Sequence, residues 1–329
     1  QEDVVRLTSL PEITQALYER WGAQLLRRLM LEDLQRLATA LNQSGFCEAQ
    51  SLAAYSVPYH YIWNGLLSYW WSEIEGALFL FAQSPDGWFM PLPPLTAGTM
   101  EEPLTEAFRL MRRWNGASAV SRVENVPASM VRNLETMGYV VRPKDPDYLY
   151  RAAELVKLAG DGYKSQRALC NRVERAGGVS IEPYRLSDRP ACRALFQQWR
   201  GQKHADGLGA FAAMLLDDAQ SAHEVAWSHG SELQLVGSVL RMNGQIRAYT
   251  FGYWLMRNTW CVLLEVADRT IPGLAQYLFR ETCRKALSEG AEFINTLDDS
   301  GLSSLRLSKE AYHPLMQIRS YICSEAPPA

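Results

Sequence analysis

From Leu233 onward, turn signals cut the chain into apolar runs of strand length, and this punctuation constrains the fold more than any other feature. Leu233 to Met242 is apolar and β-branched, and Asn243-Gly244 follows. That pair suits a type I′ hairpin turn, whose two central positions both need positive φ. Gln245 to Leu255 reads as the returning strand, and Arg257-Asn258 turns into a third, Thr259 to Val266. Pro272-Gly273 opens a helix running to Ser288, because Leu274, Leu278, Cys283 and Leu287 recur at helical spacing. Gly290 ends it as a glycine C-cap would. A strand (Glu292 to Thr296), a helix (Leu302 to Glu310) and a last strand (Leu315 to Cys323) complete the order β-β-β-α-β-α-β.

The first half gives the same order in weaker lettering. Strands are predicted at Leu67 to Ile74, Ala77 to Ala82 and Trp88 to Pro93, separated by Glu75-Gly76 and Ser84-Pro85-Asp86-Gly87. A helix (Glu101 to Trp114), a strand (Ala117 to Val123), a helix (Ala128 to Met137) and a strand (Tyr139 to Arg142, closed by Pro143) follow. The halves share architecture and almost no sequence identity. The fold class expected is therefore α/β (α+β), with two tandem domains at residues 1–150 and 151–329 and mixed sheets flanked by helices. A chain of 329 residues suits two domains of about 150 each. Helices at Ile13 to Leu41, Tyr163 to Ala176 and Asp188 to Gln202 would cover the sheets. The element order resembles the core of the GNAT (acyl-CoA N-acyltransferase) fold, and fold alone does not fix chemistry.

Composition narrows the function classes. Apolar residues make up 47% and charged residues 21%, the balance of a chain with a packed core. A net charge of −3 and a pI near 6.0 argue against wholesale coating of nucleic acid, so no DNA partner is expected, although a local basic groove stays open. No uninterrupted apolar stretch of about 18 residues exists, so no transmembrane segment is expected. Gln1-Glu2-Asp3 lacks the signature of a secretory signal, so a cytoplasmic place is expected, with peripheral membrane contact left open. Six scattered cysteines (Cys47, Cys170, Cys192, Cys261, Cys283, Cys323) read as reduced thiols, and five scattered histidines give no metal site. His204-Ala205-Asp206-Gly207 has the wrong spacing for an HxxxDG motif and reads as a solvated loop. Trp63, Trp70, Trp71, Trp88 and Trp114 read as packing residues, the tail from Ser324 as frayed.

Three stretches resemble the phosphatidylglycerol lysyltransferase C-terminal domain-like family. The first is Asp147-Tyr148-Leu149-Tyr150 with Leu155, Leu158, Gly160, Tyr163, Arg167, Asn171 and Arg172. The second is Glu265-Val266-Ala267-Asp268 followed by Gly273. The third is Asn295, Asp299, Gly301, Leu305, Arg306, Lys309, Tyr312, His313 and Pro314, with every spacing kept and Ser304 where the family has a second glycine. The resemblance implies tandem acetyltransferase-like halves. It also implies relatives that move an aminoacyl group from aminoacyl-tRNA onto a lipid or a peptidoglycan precursor. The expected activity is acyl or aminoacyl transfer from a tRNA or coenzyme A donor to an amine or hydroxyl acceptor on a small molecule, lipid or peptide. No tightly bound cofactor is expected. A binding protein that keeps the fold without turnover is the alternative.

Such a transferase must hold an anionic donor, orient an acyl carbonyl and take a proton from the nucleophile. In acetyl-CoA enzymes a Q/RxxGxG/A loop at a helix N-terminus holds the phosphates. Here Thr270-Ile271-Pro272-Gly273-Leu274-Ala275 keeps Gly273 and Ala275 as donor-binding candidates, while Thr270 replaces Gln/Arg and Pro272 has no N–H. Glu265 and Asp268 stand where this fold splays its sheet, Glu265 as a catalytic base and Asp268 as either a donor-site residue or a helix cap. Asp299 and His313 are further catalytic candidates. Asn295, Arg306, Lys309 and Tyr312 would bind substrate, or the cluster is a salt-bridged lock. Lys164, Arg167 and Asn171, at i, i+3 and i+7, would form a polar rail for a phosphate or a tRNA acceptor end, or a solvated helix face.

Overall fold

The computed structural model describes residues 26–46, 51–116, 119–207 and 209–326. They divide into two units. The first holds the described residues of 26–46, 67–144 and 321–326, and the second those of 51–66 and 145–320. The single boundary expected after residue 150 is thereby corrected. Residues 51–66 and the strand after Lys144 belong to the second unit, and the final strand belongs to the first.

In the first unit, with elements numbered along the chain, β1 (Arg27–Arg28) precedes α1 (Leu34–Gln43). The expected helix from Ile13 thus begins only at Leu34 among the described residues, and its earlier part lies outside them. β2 (Ser68–Ile74), β3 (Ala77–Ser84) and β4 (Gly87–Phe89) complete an antiparallel sheet with β1. Glu75 and Gly76 take φ values of 51° and 81°, the pair of positive values that closes the β2–β3 hairpin. α3 (Glu101–Asn115) buries Leu104, Ala107, Phe108 and Met111, one helical face, in a core with Phe79, Phe81 and Trp88. Trp114 packs edge-on to Phe81 at 4.8 Å, while Trp70 packs on Trp88 at 6.0 Å.

The strand expected from Ala117 begins instead at Val123, as β5 (Val123–Pro127), and residues 117–118 lie outside the described set. Before it, the Asn115 side chain accepts from Trp88 N and donates to Trp88 O and Ser121 Oγ. The strand expected at Trp88 to Pro93 pairs with β3 only as far as Phe89, and Met90 bridges Val123 in parallel. The helix expected from Ala128 splits into a 3-10 turn and α4 (Val131–Thr136). β6 (Tyr139–Pro143) pairs antiparallel with β14 (Ser320–Glu325), which lies between it and β5 in a second sheet.

The second unit carries α2 (Val57–Tyr61), β7 (Asp147–Arg151), α5 (Ala152–Lys157), α6 (Lys164–Ala176), β8 (Val179–Pro183), α7 (Arg189–Ala205) and α8 (Ala210–His229). β9 (Val236–Met242), β10 (Gln245–Met256), β11 (Thr259–Ala267), α9 (Leu274–Ser288), β12 (Phe293–Asn295), α10 (Ser303–Glu310) and β13 (Met316–Ile318) follow. This is the predicted order, and Asn243 and Gly244 turn the β9–β10 hairpin at φ 50° and 81°. Seven strands lie in the order β13-β7-β12-β11-β10-β9-β8. The strand expected from Leu315 to Cys323 is in fact two, broken at Arg319, with β13 on β7 and β14 on β6.

Helices cover both faces of this sheet. Ala248 of β10 meets Leu274 and Leu278 of α9 and Val173 of α6. Its neighbour Tyr249 points the other way, donating to or accepting from His223 Nδ1 of α8 at 3.0 Å. That histidine is buried between Phe196 of α7 and Trp227 of α8, and burial lowers its pKa to about 3, so it is neutral. α8 was not expected: Phe211 to Leu216 is a continuous apolar run without a helical stripe. His204 lies in the last turn of α7, where its Nε2 meets Asp217 at 3.0 Å. Cys170, Cys192, Cys261, Cys283 and Cys323 are free and buried, as expected of reduced thiols, and Cys47 lies outside the described residues.

Candidate active site

β12 pairs in parallel with β11 only from Thr259 to Cys261, so from Val262 to Ala267 β11 is paired on one edge only, with β10. Beside this half-paired stretch a cavity of about 310 Å³ opens. Its walls are the end of β11 with the loop 268–272, the first turn of α9, and Trp199 and Lys203 from α7.

Glu265 is the carboxylic acid without a partner here. Its Oε2 is buried and accepts no hydrogen bond, and burial alone raises its pKa to about 8. Near neutrality it is therefore mostly protonated, and poised to take up or release a proton in the working range of an enzyme.

Asp268, also on the lining, is spent on the loop. Its Oδ1 accepts from Thr270 N at 3.0 Å, Thr270 Oγ1 at 2.7 Å and Gln198 Nε2 at 3.3 Å, and its Oδ2 from Arg247 Nη1 at 3.1 Å. Burial opposes its ionisation, but these donors together hold its pKa below the usual value. The cap read for it is displaced by one turn: Asp268 organises Thr270, and the N-cap of α9 is Gly273.

Gly273 has φ 90°, and a Cβ there would stand 2.4 Å from Leu169 O of α6. Backbone conformation and contact both demand glycine. Gly273→Ala is expected to lower stability by about 2–4 kcal/mol, read as an earlier urea midpoint at unchanged slope. An unchanged midpoint would show that α6 and α9 can separate freely. In the same loop, Thr270 N serves Asp268 Oδ1, Ile271 N serves Asp268 O and Leu274 N serves Ile271 O, while Pro272 has no N–H. Ala275 lies in the first helical turn and lines the cavity.

The residues Asn295 to Pro314 gather, as their spacing suggested, but around the loop after β12. Asn295 is wholly buried and fully engaged: Nδ2 donates to Ser51 O at 2.8 Å and Asp147 Oδ2 at 2.9 Å, and Oδ1 accepts from Leu297 N at 2.7 Å. Asp299, also wholly buried, accepts from Tyr148 OH (2.7 Å), Arg306 Nε (2.9 Å) and Gly301 N (3.0 Å). Its pKa lies below normal because those donors outweigh burial. Lys309 Nζ donates to the carbonyls of Thr296, Leu297 and Asp298, which uses all three of its protons, and burial lowers its pKa to about 8. Tyr312 packs edge-on against Phe279, and its carbonyl accepts from Tyr163 OH at 2.9 Å. His313, at φ 52°, lies at the surface with Nε2 3.3 Å from Gly162 O. None of these residues lines the cavity, and their hydrogen bonds are those of a lock.

On α6, Arg167 donates to the carbonyls of Leu158 and Gly160 and so closes the turn before the helix. Lys164 is exposed on the outer face, Asn171 half-buried. Trp199 and Lys203 escaped the sequence reading. Their i, i+4 spacing on α7 puts them on one face, the one signal that could have marked them. Among the described residues no group of acids, histidines and cysteines could hold a metal ion, and no helix is long and apolar enough to cross a membrane.

The profile of the family described as phosphatidylglycerol lysyltransferase, C-terminal, matches residues 49–324. No curated protein matches the sequence. Among solved structures, a conserved protein of unknown function from Bacteroides thetaiotaomicron superposes with a TM-score of 0.76 at 19% identity, covering 92% of this chain and 99% of that one. L-PGS from Bacillus licheniformis gives 0.61 at 16%, covering 90% and 92%. A tandem GNAT protein from the clavulanic acid biosynthesis pathway gives 0.50 at 12%, covering 93% and 99%. These likenesses establish a tandem GNAT-like fold.

Proposed function

This chain belongs to the phosphatidylglycerol lysyltransferase C-terminal family, and from that premise we propose that it is an acyl- or aminoacyltransferase acting at the cavity of the second unit. The observation that carries this reading is the buried, unpartnered carboxyl of Glu265 beside the splayed strands. In this reading the acceptor's amine or hydroxyl attacks the donor's acyl carbonyl and gives its proton to Glu265. A new bond to the acyl carbon forms as the donor's ester or thioester bond breaks, and the leaving oxygen or sulfur takes a proton.

Aminoacyl-tRNA is the favoured donor over acyl-CoA. A pyrophosphate needs N–H groups, and Thr270, Ile271 and Leu274 spend theirs within the loop while Pro272 has none. The outer row of α6, where Lys164, Arg172 and Arg175 are exposed, supplies cations suited to an RNA backbone.

A thermal-shift titration with coenzyme A and acetyl-CoA tests the choice. A ligand at 100 times its dissociation constant stabilises by about 2.7 kcal/mol, a shift of several degrees. We expect no shift, and transfer from charged tRNA to an added amine. A clear shift makes this an acyl-CoA enzyme. A folded protein that transfers from neither donor is a binding protein.

A further inference from the structure

In an extended chain successive residues face opposite ways, so three consecutive carbonyls do not meet at one point. After β12 they do. Leu297 takes φ 63°, a left-handed conformation that a residue with a side chain adopts at a cost. The carbonyls of Thr296, Leu297 and Asp298 then all accept from one atom, Lys309 Nζ, at 3.0 Å for Leu297 and 2.5 Å for Asp298. The ring centroid of Tyr148 lies 5.5 Å from the same atom. Burial works against the charge there, and Asp298, Asp147 and Asp299 work for it. Apolar packing does not account for α10 at this place: none of its residues is buried, and Leu305 and Leu307 are exposed. Polar contacts hold it, Lys309 on the three carbonyls, Arg306 on Asp299, and Tyr150 OH on the carbonyl of Lys309 at 2.9 Å.

We infer that residues 296–298 form a monovalent-cation site, which Lys309 fills with its own ammonium. The ligand class is an ion of potassium size. Potassium exchanges its water for backbone carbonyls, and ammonium is close to it in size and charge. A single positive charge also suits the surroundings, because Asp299 is already answered by Arg306. None of these residues lines the cavity, so the site stands or falls independently of the reaction proposed there.

The experiment removes the ammonium and leaves room for an ion. The whole chain carrying Lys309→Ala is melted in the chlorides of potassium, ammonium and choline at equal ionic strength. Potassium and ammonium should each raise its melting temperature by about 3–5 °C over choline, whose cation is too large for the three carbonyls. They recover part of the loss, because a free ion does not tether α10 as the lysine stem does. Wild type, with the site filled, should differ by less than about 1 °C among the salts. Lys309→Met, which occupies the space without a charge, should melt early in all three. Where Lys309→Ala shows no cooperative transition, Lys309→Ser takes its place. Equal melting of the variant in the three salts overturns the inference, as does a potassium effect of the same size in wild type or in Lys309→Met. The absence of a potassium-dependent transition in both Lys309→Ala and Lys309→Ser overturns it as well.

Discussion

Glu265→Gln is expected to lower transfer by at least a hundredfold and, at the same time, to stabilise the protein in alkaline solution. The rate effect is that of removing a general base, worth about 10²–10⁴. The stability effect follows from the raised pKa, about 8 folded against an ordinary 4.5. Below pH 4.5 both folded and unfolded chains are protonated, and the residue costs nothing. Between 4.5 and 8 the unfolded chain ionises first, so stability falls as pH rises. Above 8 the cost is complete, on the order of 3–5 kcal/mol at about 1.4 kcal/mol per pKa unit. Urea unfolding should therefore show the variant equal to wild type at pH 4 and more stable by about 3 kcal/mol at pH 9. Wild-type transfer should rise with pH through about 8. A variant no more stable at pH 9 would mean that a partner stabilises the Glu265 carboxylate. A rate within tenfold of wild type would remove it as the base.

Asp299→Ala should do the reverse: a large loss of stability with little change in rate per folded molecule. The substitution removes three accepted hydrogen bonds and leaves the hydroxyl of the fully buried Tyr148 without this acceptor. An abandoned buried donor costs about 1–3 kcal/mol, and the other lost bonds raise the total to roughly 3–4. Arg306 is half exposed and regains water, so it adds little. Calorimetry should show a fall of about 10 °C for a chain of this size. Transfer per folded molecule should stay within about threefold of wild type. A hundredfold loss at unchanged melting temperature would instead put Asp299 in the chemistry.

These opposite expectations show where sequence reasoning reached its limit. The motif from Asn295 to Pro314 is the most recognisable stretch of the chain, and its residues do assemble. Yet a mixture of acid, amide and bases reads alike whether it binds a ligand or itself. Only the distances separate the cases, and here Asn295, Asp299 and Lys309 spend their polar atoms on Asp147, Arg306, Tyr148 and nearby backbone. Glu265, one carboxylate in a strand, is the better candidate because nothing answers it. Lys203 was invisible for the same reason: a lysine near a helix end is ordinary until its neighbours are known.

The sequence by itself determined the elements from β9 to α10. Asn243-Gly244 and Gly273 take backbone conformations that other residues resist, and the apolar period of α9 follows from the geometry of one helix. These are local demands, met within a few residues. The tertiary structure alone decided that β7 joins the sheet of the second unit, that β14 leaves it at Arg319 for the first, and that Glu265 stays unpartnered while Asp268 does not. Strand pairing and proton affinity depend on groups far apart in the chain, because hydrogen-bond partners and the exclusion of water are set by packing.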